Sequence, residues 1–301
     1  MRILVLGGSG MLGHKLVQTL RESFDVRMTL RGTFHDVEHF GLFRRDETIE
    51  GVDVMDMRSV QAAIETARPD IVVNAVGIIK QLPTSKDVVT SLTVNSILPH
   101  RLAEYGATAG FRLICISTDC VFDGESGMYT EEDPANALDL YGQSKHLGEV
   151  TEPNCLTLRT SIIGRELGSA HSLVEWFLSN RGGQVKGFRN AIYSGFPTVV
   201  FADIIRQLIV EHPKLTGLYH VSSEPINKYD LLKLLKEKYA AEIEIEPYDD
   251  FTIDRSLDST RLSHGRTSCL PCGRGALSHA QRPLRQTPAS SRGKQCGQGD
   301  Q

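Results

Sequence analysis

Ile-Leu-Val-Leu-Gly-Gly-Ser-Gly-Met-Leu-Gly, residues 3–13, joins a short aliphatic run to three glycines spaced three residues apart. Four consecutive aliphatic residues beside glycine are typical of a parallel strand that is buried on both faces. Leu16, Val17 and Leu20 follow at helical spacing. The sequence therefore predicts a strand, a tight glycine turn and a helix, in that order.

The alternation of strand and helix continues over the first half of the chain. Further strands are predicted at residues 25–30, 51–55, 71–75, 113–117 and 155–158. Helical spacing of apolar residues separates most of these strands. The pattern predicts an α/β fold, a doubly wound parallel sheet of the Rossmann type.

The alternation loosens after residue 159. Helices are predicted at residues 172–179, 199–210 and 227–239, and strands at 217–221 and 243–245. We divide the chain into a Rossmann domain and a smaller, partly discontinuous lobe. The first comprises residues 1–160 and 197–224, and the second comprises residues 161–196 and 225–262.

Residues 263–301 differ in composition from the rest of the chain. They are rich in Gly, Ser, Pro and Arg and show no aliphatic periodicity. This composition indicates a disordered tail or translation of a shifted reading frame. Cys269 and Cys272 in this tail have no second ligand pair at metal spacing, so we predict no metal site.

Composition and charge narrow the classes of function. The 301 residues are 40% hydrophobic and 23% charged, as in ordinary globular proteins. The apolar run at the start is too short for a signal peptide or a membrane span. Residues 1–262 carry 27 Lys and Arg against 36 Asp and Glu, which disfavours nucleic acid. Their three cysteines suit a reducing compartment. We expect a cytoplasmic protein with a small-molecule partner and no membrane contact, and leave a homodimer open.

The glycine spacing predicts a nucleotide site. The first glycine permits the tight turn, the second lets the backbone approach a pyrophosphate, and the third lets the helix pack close to the strand. The helix N-terminus then directs N–H groups toward the anion. A tight turn without a ligand is the alternative, but the position after the chain's first strand favours a dinucleotide. We assign Gly7, Gly10, Met11, Leu12 and Gly13 to this site.

The end of the second predicted strand selects between the two nicotinamide cofactors. An Asp or Glu at this point binds the ribose 2′-hydroxyl of NAD, whereas an Arg accommodates the 2′-phosphate of NADP. The chain has Arg31 and no carboxylate there. We therefore predict NADPH, with NAD still open. The alternative is that Arg31 is a solvated cation at a strand end.

Two later strand ends supply further candidate cofactor contacts. Asp56 and Met57 follow the third predicted strand, and Asp56 would accept from the adenine amino group or cap the next helix. Ala75, Val76 and Gly77 follow the fourth strand. Small residues at this point would let the backbone face the cofactor.

The fifth predicted strand and the next helix carry the candidate catalytic residues. Thr118 follows the strand, and Tyr141 and Lys145 lie four residues apart on one face of the helix. An ammonium beside a phenol brings the phenol closer to deprotonation. Tyr229 and Lys233 have the same spacing, but they lie late in the chain, inside an ordinary amphipathic helix, so we interpret them as packing residues.

These motifs together resemble the extended short-chain dehydrogenase/reductase family over residues 1–261. Ser-Thr-Asp-x-Val-Phe-Asp-Gly from residue 117 and Leu-Tyr-Gly-x-Ser-Lys-x-x-Gly-Glu from residue 140 are similar to the dTDP-4-dehydrorhamnose reductase branch. The resemblance implies NADPH-dependent reduction of the 4-keto group of a nucleotide-diphospho-4-keto-6-deoxysugar, for deoxysugar or surface-polysaccharide biosynthesis. It implies that Thr118 and Tyr141 bind the ketone, that Tyr141 donates the proton, and that Lys145 contacts the nicotinamide ribose and lowers the pKa of Tyr141.

Two alternatives to a reductase stay open. Related sugar-nucleotide 4,6-dehydratases carry Thr-Asp-Glu, and Cys120 stands in place of the Glu, which disfavours elimination of water. A sugar-nucleotide epimerase needs only the hydride machinery and remains compatible. A non-catalytic NADP-binding regulatory subunit, like that of methionine adenosyltransferase, is the alternative from another class.

The residues that would bind the nucleotide-sugar substrate are less specific in sequence. Lys80 lies in the loop after the fourth strand, and Asp119 follows Thr118. Trp176 would contact the base or the sugar, and Arg189 would bind a diphosphate through its planar fork. The alternatives are a buried core aromatic for Trp176 and an exposed loop cation for Arg189.

Overall fold

Twelve strands occur in the computed structural model, which describes residues 1–264. In chain order they are β1 Arg2–Leu6, β2 Asp25–Thr29, β3 Thr48–Ile49, β4 Ile71–Asn74, β5 Arg112–Thr118, β6 Cys155–Thr160, β7 Ile162–Ile163, β8 Gln184–Tyr193, β9 Phe196–Pro197, β10 Gly217–His220, β11 Ile226–Asn227 and β12 Glu244–Asp254. The predicted tail, including Cys269 and Cys272, lies outside the described residues from position 265 onward.

The α-helices of the described residues number ten. They are α1 Gly13–Leu20, α2 His35–Glu38, α3 Met57–Ala67, α4 Val88–Leu92, α5 Leu98–Ala109, α6 Leu140–Leu147, α7 Leu173–Ser179, α8 Thr198–Glu211, α9 Lys228–Lys238 and α10 Thr260–His264. A π-helical turn, Thr93–Ile97, joins α4 to α5. Helix α10 includes positions 263 and 264, which were predicted to belong to the tail.

Seven of these strands form one parallel sheet in the order β10-β6-β5-β4-β1-β2-β3. The order reverses between β1 and β4, and ligands of doubly wound sheets bind outside the carboxyl ends of the strands at such a point. The predicted fold class is therefore confirmed. The carboxyl ends of β1, β4 and β5 bring the glycine turn and Thr118 to the same edge of the sheet.

Residues of β1 alternate between two helical layers. Ile3 and Val5 pack in the cluster that contains helices α1 and α8. Leu4 and Leu6 pack in the cluster that contains helices α3 and α5. Burial on both faces explains why this strand has a continuous aliphatic run instead of alternation with polar residues.

The prediction of a strand at residues 51–55 is wrong. The third strand is β3, which pairs with β2 before the chain turns at Gly51, where φ is +70°. Val52 is buried in the cluster around α3 and donates its N–H to the carbonyl of Leu30. Val52 is therefore hydrophobic because it is buried in this cluster, although it does not belong to a strand.

A second sheet has the order β11-β8-β12, and helix α9 packs on β8. A Cβ on Gly187 of β8 would lie 2.6 Å from the ring of Tyr229, so Tyr229 packs closely on this strand. Strand β8 was not predicted, and β12 extends from residue 244 to 254 where only 243–245 was expected. The functional division into two lobes stays a prediction.

Candidate active site

Close backbone packing defines the turn between β1 and α1. Gly7 has φ of +78°, and its carbonyl accepts from the N–H of Gly10 at 3.0 Å. A Cβ on Gly13 would lie 2.0 Å from the Gly7 carbonyl oxygen, so only glycine fits there. Gly10 is exposed, which leaves its backbone open to a ligand. This turn at the start of a helix fits the pyrophosphate of a dinucleotide.

A buried histidine, His14, is hydrogen-bonded to the glycine turn. His14 is 1% exposed, and its Nδ1 lies 2.9 Å from the carbonyl oxygen of Gly10. Burial lowers the pKa of His14 to about 4, so the ring is neutral at neutral pH and its Nδ1–H donates to Gly10. The glycine turn is therefore held by a hydrogen bond from a buried imidazole that is neutral at neutral pH.

This burial predicts a specific pH dependence of stability. The pKa of His14 rises from about 4 in the folded chain to about 6.5 on unfolding, so its contribution is present above pH 6.5 and is lost as the pH falls toward 4. Between pH 7 and pH 5 we expect the free energy of unfolding to fall by about 2 kcal/mol more than in His14→Asn, whose amide can keep the bond to Gly10. Urea titrations at both pH values measure this difference, and parallel pH curves for the two proteins would contradict it.

The remaining candidate cofactor residues line the neighbouring strand ends. Arg31 is exposed just after β2. Val76 lies against the turn, because a Cβ on Gly7 would be 2.9 Å from its Cγ2. Ala75 donates its N–H to the carbonyl of Leu6 and so continues the pairing of β4 with β1. Gly77 comes next in the chain.

Asp56 caps helix α3 and does not end a strand. Its Oδ1 accepts from the N–H of Arg58 at 3.0 Å, and hydrogen bonds from Arg58 lower the pKa of the carboxyl. Met57 begins α3 and packs partly buried against the cluster around that helix. Asp56 was predicted either to bind the adenine amino group or to cap the helix. The structure shows it capping α3.

Thr118 and Tyr141 meet where α6 packs on the turn after β5. Asp139 caps α6 through the N–H of Gly142 at 3.0 Å. A Cβ on Gly142 would lie 2.2 Å from the carbonyl oxygen of Cys120, so the helix touches the turn directly. This contact places the phenol of Tyr141 beside the hydroxyl of Thr118.

The direction predicted for the pKa of Tyr141 is wrong. Burial raises this pKa above its ordinary value of 10, and the nearby thiol of Cys120 raises it further, while Thr118 lowers it. The ammonium of Lys145 donates to the carbonyl of Ile116 at 2.6 Å. The Lys145 ammonium is thus bound to the carbonyl of Ile116 on β5. Burial of the phenol is the largest influence on the pKa of Tyr141. Tyr141 is therefore neutral at neutral pH, the form that can donate a proton.

Two further predicted residues lie at the same cluster. The Nζ of Lys80 lies 2.8 Å from Oδ2 of Asp139 and 5.7 Å from the ring centroid of Tyr141. Asp119 is buried and accepts from the hydroxyl of Thr118 at 3.0 Å. Burial raises the pKa of Asp119. The loop after β4 and the turn after β5 thus both contribute charged groups beside the phenol.

Trp176 and Arg189 have other surroundings. Trp176 on α7 is 40% exposed, so it is not a buried core aromatic. Arg189 on β8 forms an ion pair with Asp249 of β12, with Nε at 2.6 Å from Oδ1. A diphosphate would have to displace this carboxylate. Their assignment to the substrate stays a prediction.

Arg255 lies beside the site and was not predicted. Its Nε donates to the carbonyl of Phe122 at 2.8 Å, and its Nη1 lies 3.8 Å from Sγ of Cys120. It also acts electrostatically on Asp119 and Asp139. These partners are more than 100 residues away in the chain, and no local motif indicates such a contact.

No helix within residues 1–264 is long and apolar enough to cross a membrane. In that same part of the chain, no group of three or more His, Cys, Asp or Glu side chains could hold a metal ion.

The doubly wound sheet, the glycine turn and the Thr118–Tyr141–Lys145 set define an extended short-chain dehydrogenase/reductase type of protein. Residues 1–264 match the family described as RmlD substrate binding domain. The chain belongs to this family.

Similar proteins include a reductase and a subunit of another enzyme. The chain is 27% identical over 257 residues to a dTDP-4-dehydrorhamnose reductase from Aggregatibacter actinomycetemcomitans, with 81% of each chain covered. It is 28% identical over 251 residues to methionine adenosyltransferase 2 subunit beta from Mus musculus, which covers 76% of this chain and 70% of the relative.

A solved structure shares the fold. The dTDP-4-dehydrorhamnose reductase from Bacillus anthracis, determined in complex with NADP, superposes with a TM-score of 0.75 at 20% identity. The match covers 92% of this chain and 97% of the other. At this identity the likeness concerns the fold alone.

Proposed function

We propose that the protein reduces the 4-keto group of a nucleotide-diphospho-4-keto-6-deoxysugar with NADPH. The observation that carries this proposal is the placement of Tyr141 on α6 beside Thr118, at the sheet edge that also holds the glycine turn. Similarity to a dTDP-4-dehydrorhamnose reductase over four fifths of both chains supports it.

The groups at this sheet edge have separate roles in the proposed reaction. The glycine turn and the N-terminus of α1 would hold the pyrophosphate of NADPH, which supplies the hydride when bound. The hydroxyls of Thr118 and Tyr141 bind the ketone oxygen, and Tyr141 transfers its proton to that oxygen as negative charge develops. Lys145 binds the nicotinamide ribose.

The turn after β5 disfavours elimination of water. A dehydratase needs a base beside Asp119, where this chain has Cys120. Burial raises the pKa of the Cys120 thiol to about 12, so the thiol stays protonated at neutral pH. A protonated thiol cannot remove a proton from the sugar, which leaves reduction as the favoured reaction.

Arg31 provides a test of cofactor choice. Its exposed guanidinium follows β2, and residues 29–33 at this strand end contain no Asp or Glu. We expect Arg31→Ala to weaken NADPH binding by about tenfold or more through loss of a charge-assisted contact to the 2′-phosphate, with NADH binding nearly unchanged. Calorimetric titration of both cofactors measures this, with the exposed Arg68→Ala as a matched loss of charge. Equal weakening for the two cofactors would exclude the proposed role.

The proposed function is tested by direct assay. Purified protein is mixed with NADPH and enzymatically prepared dTDP-4-keto-6-deoxysugars, and cofactor oxidation and product stereochemistry are followed. We expect stoichiometric oxidation of NADPH with formation of the 4-hydroxy sugar. Conversion of sugar nucleotides without net oxidation would support an epimerase.

A regulatory subunit is the second candidate function. The similarity to methionine adenosyltransferase 2 subunit beta favours it. Tight NADP binding without turnover of any such sugar would support this candidate over the reductase. Co-purification with a methionine adenosyltransferase catalytic subunit would then be the positive test.

A further inference from the structure

A buried ion pair lies directly behind the catalytic helix. Glu149 follows α6 by two residues, and Arg159 belongs to β6. The guanidinium binds the carboxylate through two parallel bonds, Nε to Oε1 and Nη2 to Oε2, each 2.7 Å long. The side chains are only 4% and 6% exposed, so both charges are removed from water.

The same carboxylate reaches the strand that carries Thr118. The hydroxyl of Ser117 donates to Oε1 of Glu149 at 2.6 Å. His146, on the last turn of α6, lies 2.9 Å from Oε2 through its Nδ1. Glu149 therefore connects β5, β6 and α6 through one group.

Stability alone does not explain a buried pair at this place. A well-packed apolar pair of similar volume can be as stable as a buried ion pair, because it avoids the loss of hydration. Burial raises the pKa of Glu149, but hydrogen bonds from Arg159 and His146 outweigh it and hold the pKa at about 2. The site thus keeps a permanent anion one helical turn beyond Lys145.

Lys145 is the cation that this anion affects. Burial lowers the pKa of Lys145, and the charges of Cys115 and Glu149 raise it. Burial also raises the pKa of the Cys115 thiol to about 12, so this group is neutral at neutral pH. Arg159 on β6 faces the carboxylate from the other side and offsets part of its field. Of the two groups that support the ammonium, Glu149 is therefore the one that carries charge.

We propose that Glu149 is a positioning residue that holds α6, and with it Lys145, against strands β5 and β6. The proposal rests on the proposed function only for the role of Lys145 in binding the cofactor ribose. The link between Glu149 and Lys145 is a property of the folded chain by itself.

The test measures the protonation of Lys145 directly in the full-length chain. Lysine labelled with ¹³C at Cε is titrated by NMR, and the signal of Lys145 is assigned from its absence in Lys145→Arg. Glu149→Gln keeps the shape of the side chain and removes its charge. We expect the midpoint of Lys145 to fall by about one pH unit or more, as for loss of a neighbouring opposite charge. An unchanged midpoint would overturn the proposal.

A second variant keeps the proposal testable if Glu149→Gln fails to fold. Glu149→Gln leaves Arg159 buried without its partner, whereas the double variant Glu149→Met with Arg159→Met removes both charges. We expect this protein to fold and to show a smaller fall in the Lys145 midpoint, and a wild-type midpoint in it would also overturn the proposal. Glu104→Gln on the exposed face of α5 is the control and should leave the midpoint unchanged.

Calorimetric titration of NADPH across alkaline pH gives a second readout. In Glu149→Gln we expect NADPH affinity to begin falling at a lower pH than in the wild type. Absence of sugar turnover in the wild type would count against the proposed function, and the NMR result would still decide the role of Glu149.

Discussion

Replacing Tyr141 with Phe should lower the turnover of a 4-keto sugar nucleotide by about 10²-fold to 10⁴-fold, the usual contribution of a positioned general acid. The substitution removes only the hydroxyl oxygen, the atom beside Thr118 and the source of the proton. The buried ring and its contact with Lys80 remain. NADPH affinity should therefore stay within a few-fold of the wild type, as measured by calorimetry.

The chain contains a matched control for this experiment. Tyr229 and Lys233 share the spacing of Tyr141 and Lys145, and the ammonium of Lys233 lies 5.2 Å from the Tyr229 ring centroid. Tyr229 packs on Gly187 of β8, which belongs to the second sheet. We expect Tyr229→Phe to retain wild-type turnover. Full activity in Tyr141→Phe would refute the assignment of the proton donor.

Gly13→Ala should destabilise the fold and abolish cofactor binding together. The new methyl carbon would lie 2.0 Å from the Gly7 carbonyl oxygen, and neither a Cβ nor a backbone carbonyl can rotate away. Overpacking in a core commonly costs 1–3 kcal/mol, and contact with fixed backbone places this change at about 3 kcal/mol or more. Urea unfolding measures the loss, and calorimetric titration measures NADPH binding.

Gly10→Ala separates the two effects. Its nearest heavy atom, the same carbonyl oxygen, is 3.3 Å from the added Cβ, and Gly10 does not have positive φ. Most of the stability should persist, while the exposed methyl group obstructs the approach of a pyrophosphate. Equal stability of Gly13→Ala and wild type would show that α1 can move from the strand, contrary to the packing described.

The parts of the fold that could be predicted are those with a strong local signal. Strands β1, β4 and β6 are apolar because both faces are covered, and their positions were predicted within one or two residues. The third strand was misplaced because its two residues, Thr48 and Ile49, carry little pattern, whereas Val52 nearby is buried for another reason. Strand β8 alternates only in part, since Gly187 and Arg189 interrupt its apolar face.

The candidate site likewise has residues that local motifs predict and contacts that only the packed structure reveals. Thr118, Tyr141 and Lys145 follow recognisable local motifs, and the structure brings Thr118 and Tyr141 together. The ion pair of Glu149 with Arg159 and the contacts of Arg255 depend on how separate elements pack. The pKa of Tyr141 was predicted in the wrong direction because its degree of burial and the carbonyl partner of Lys145 are properties of the packed structure.

The turn after β5 is held by residues that are synthesised much later than the turn itself. Tyr129 donates its N–H to the carbonyl of Ser256, and Arg255 binds the carbonyls of Phe122 and Asp123. A growing chain therefore exposes its catalytic residues more than 100 residues before their neighbours exist. Non-local contacts of this kind form late, since long loops must close first. We expect the active site to be the last region to mature on the ribosome.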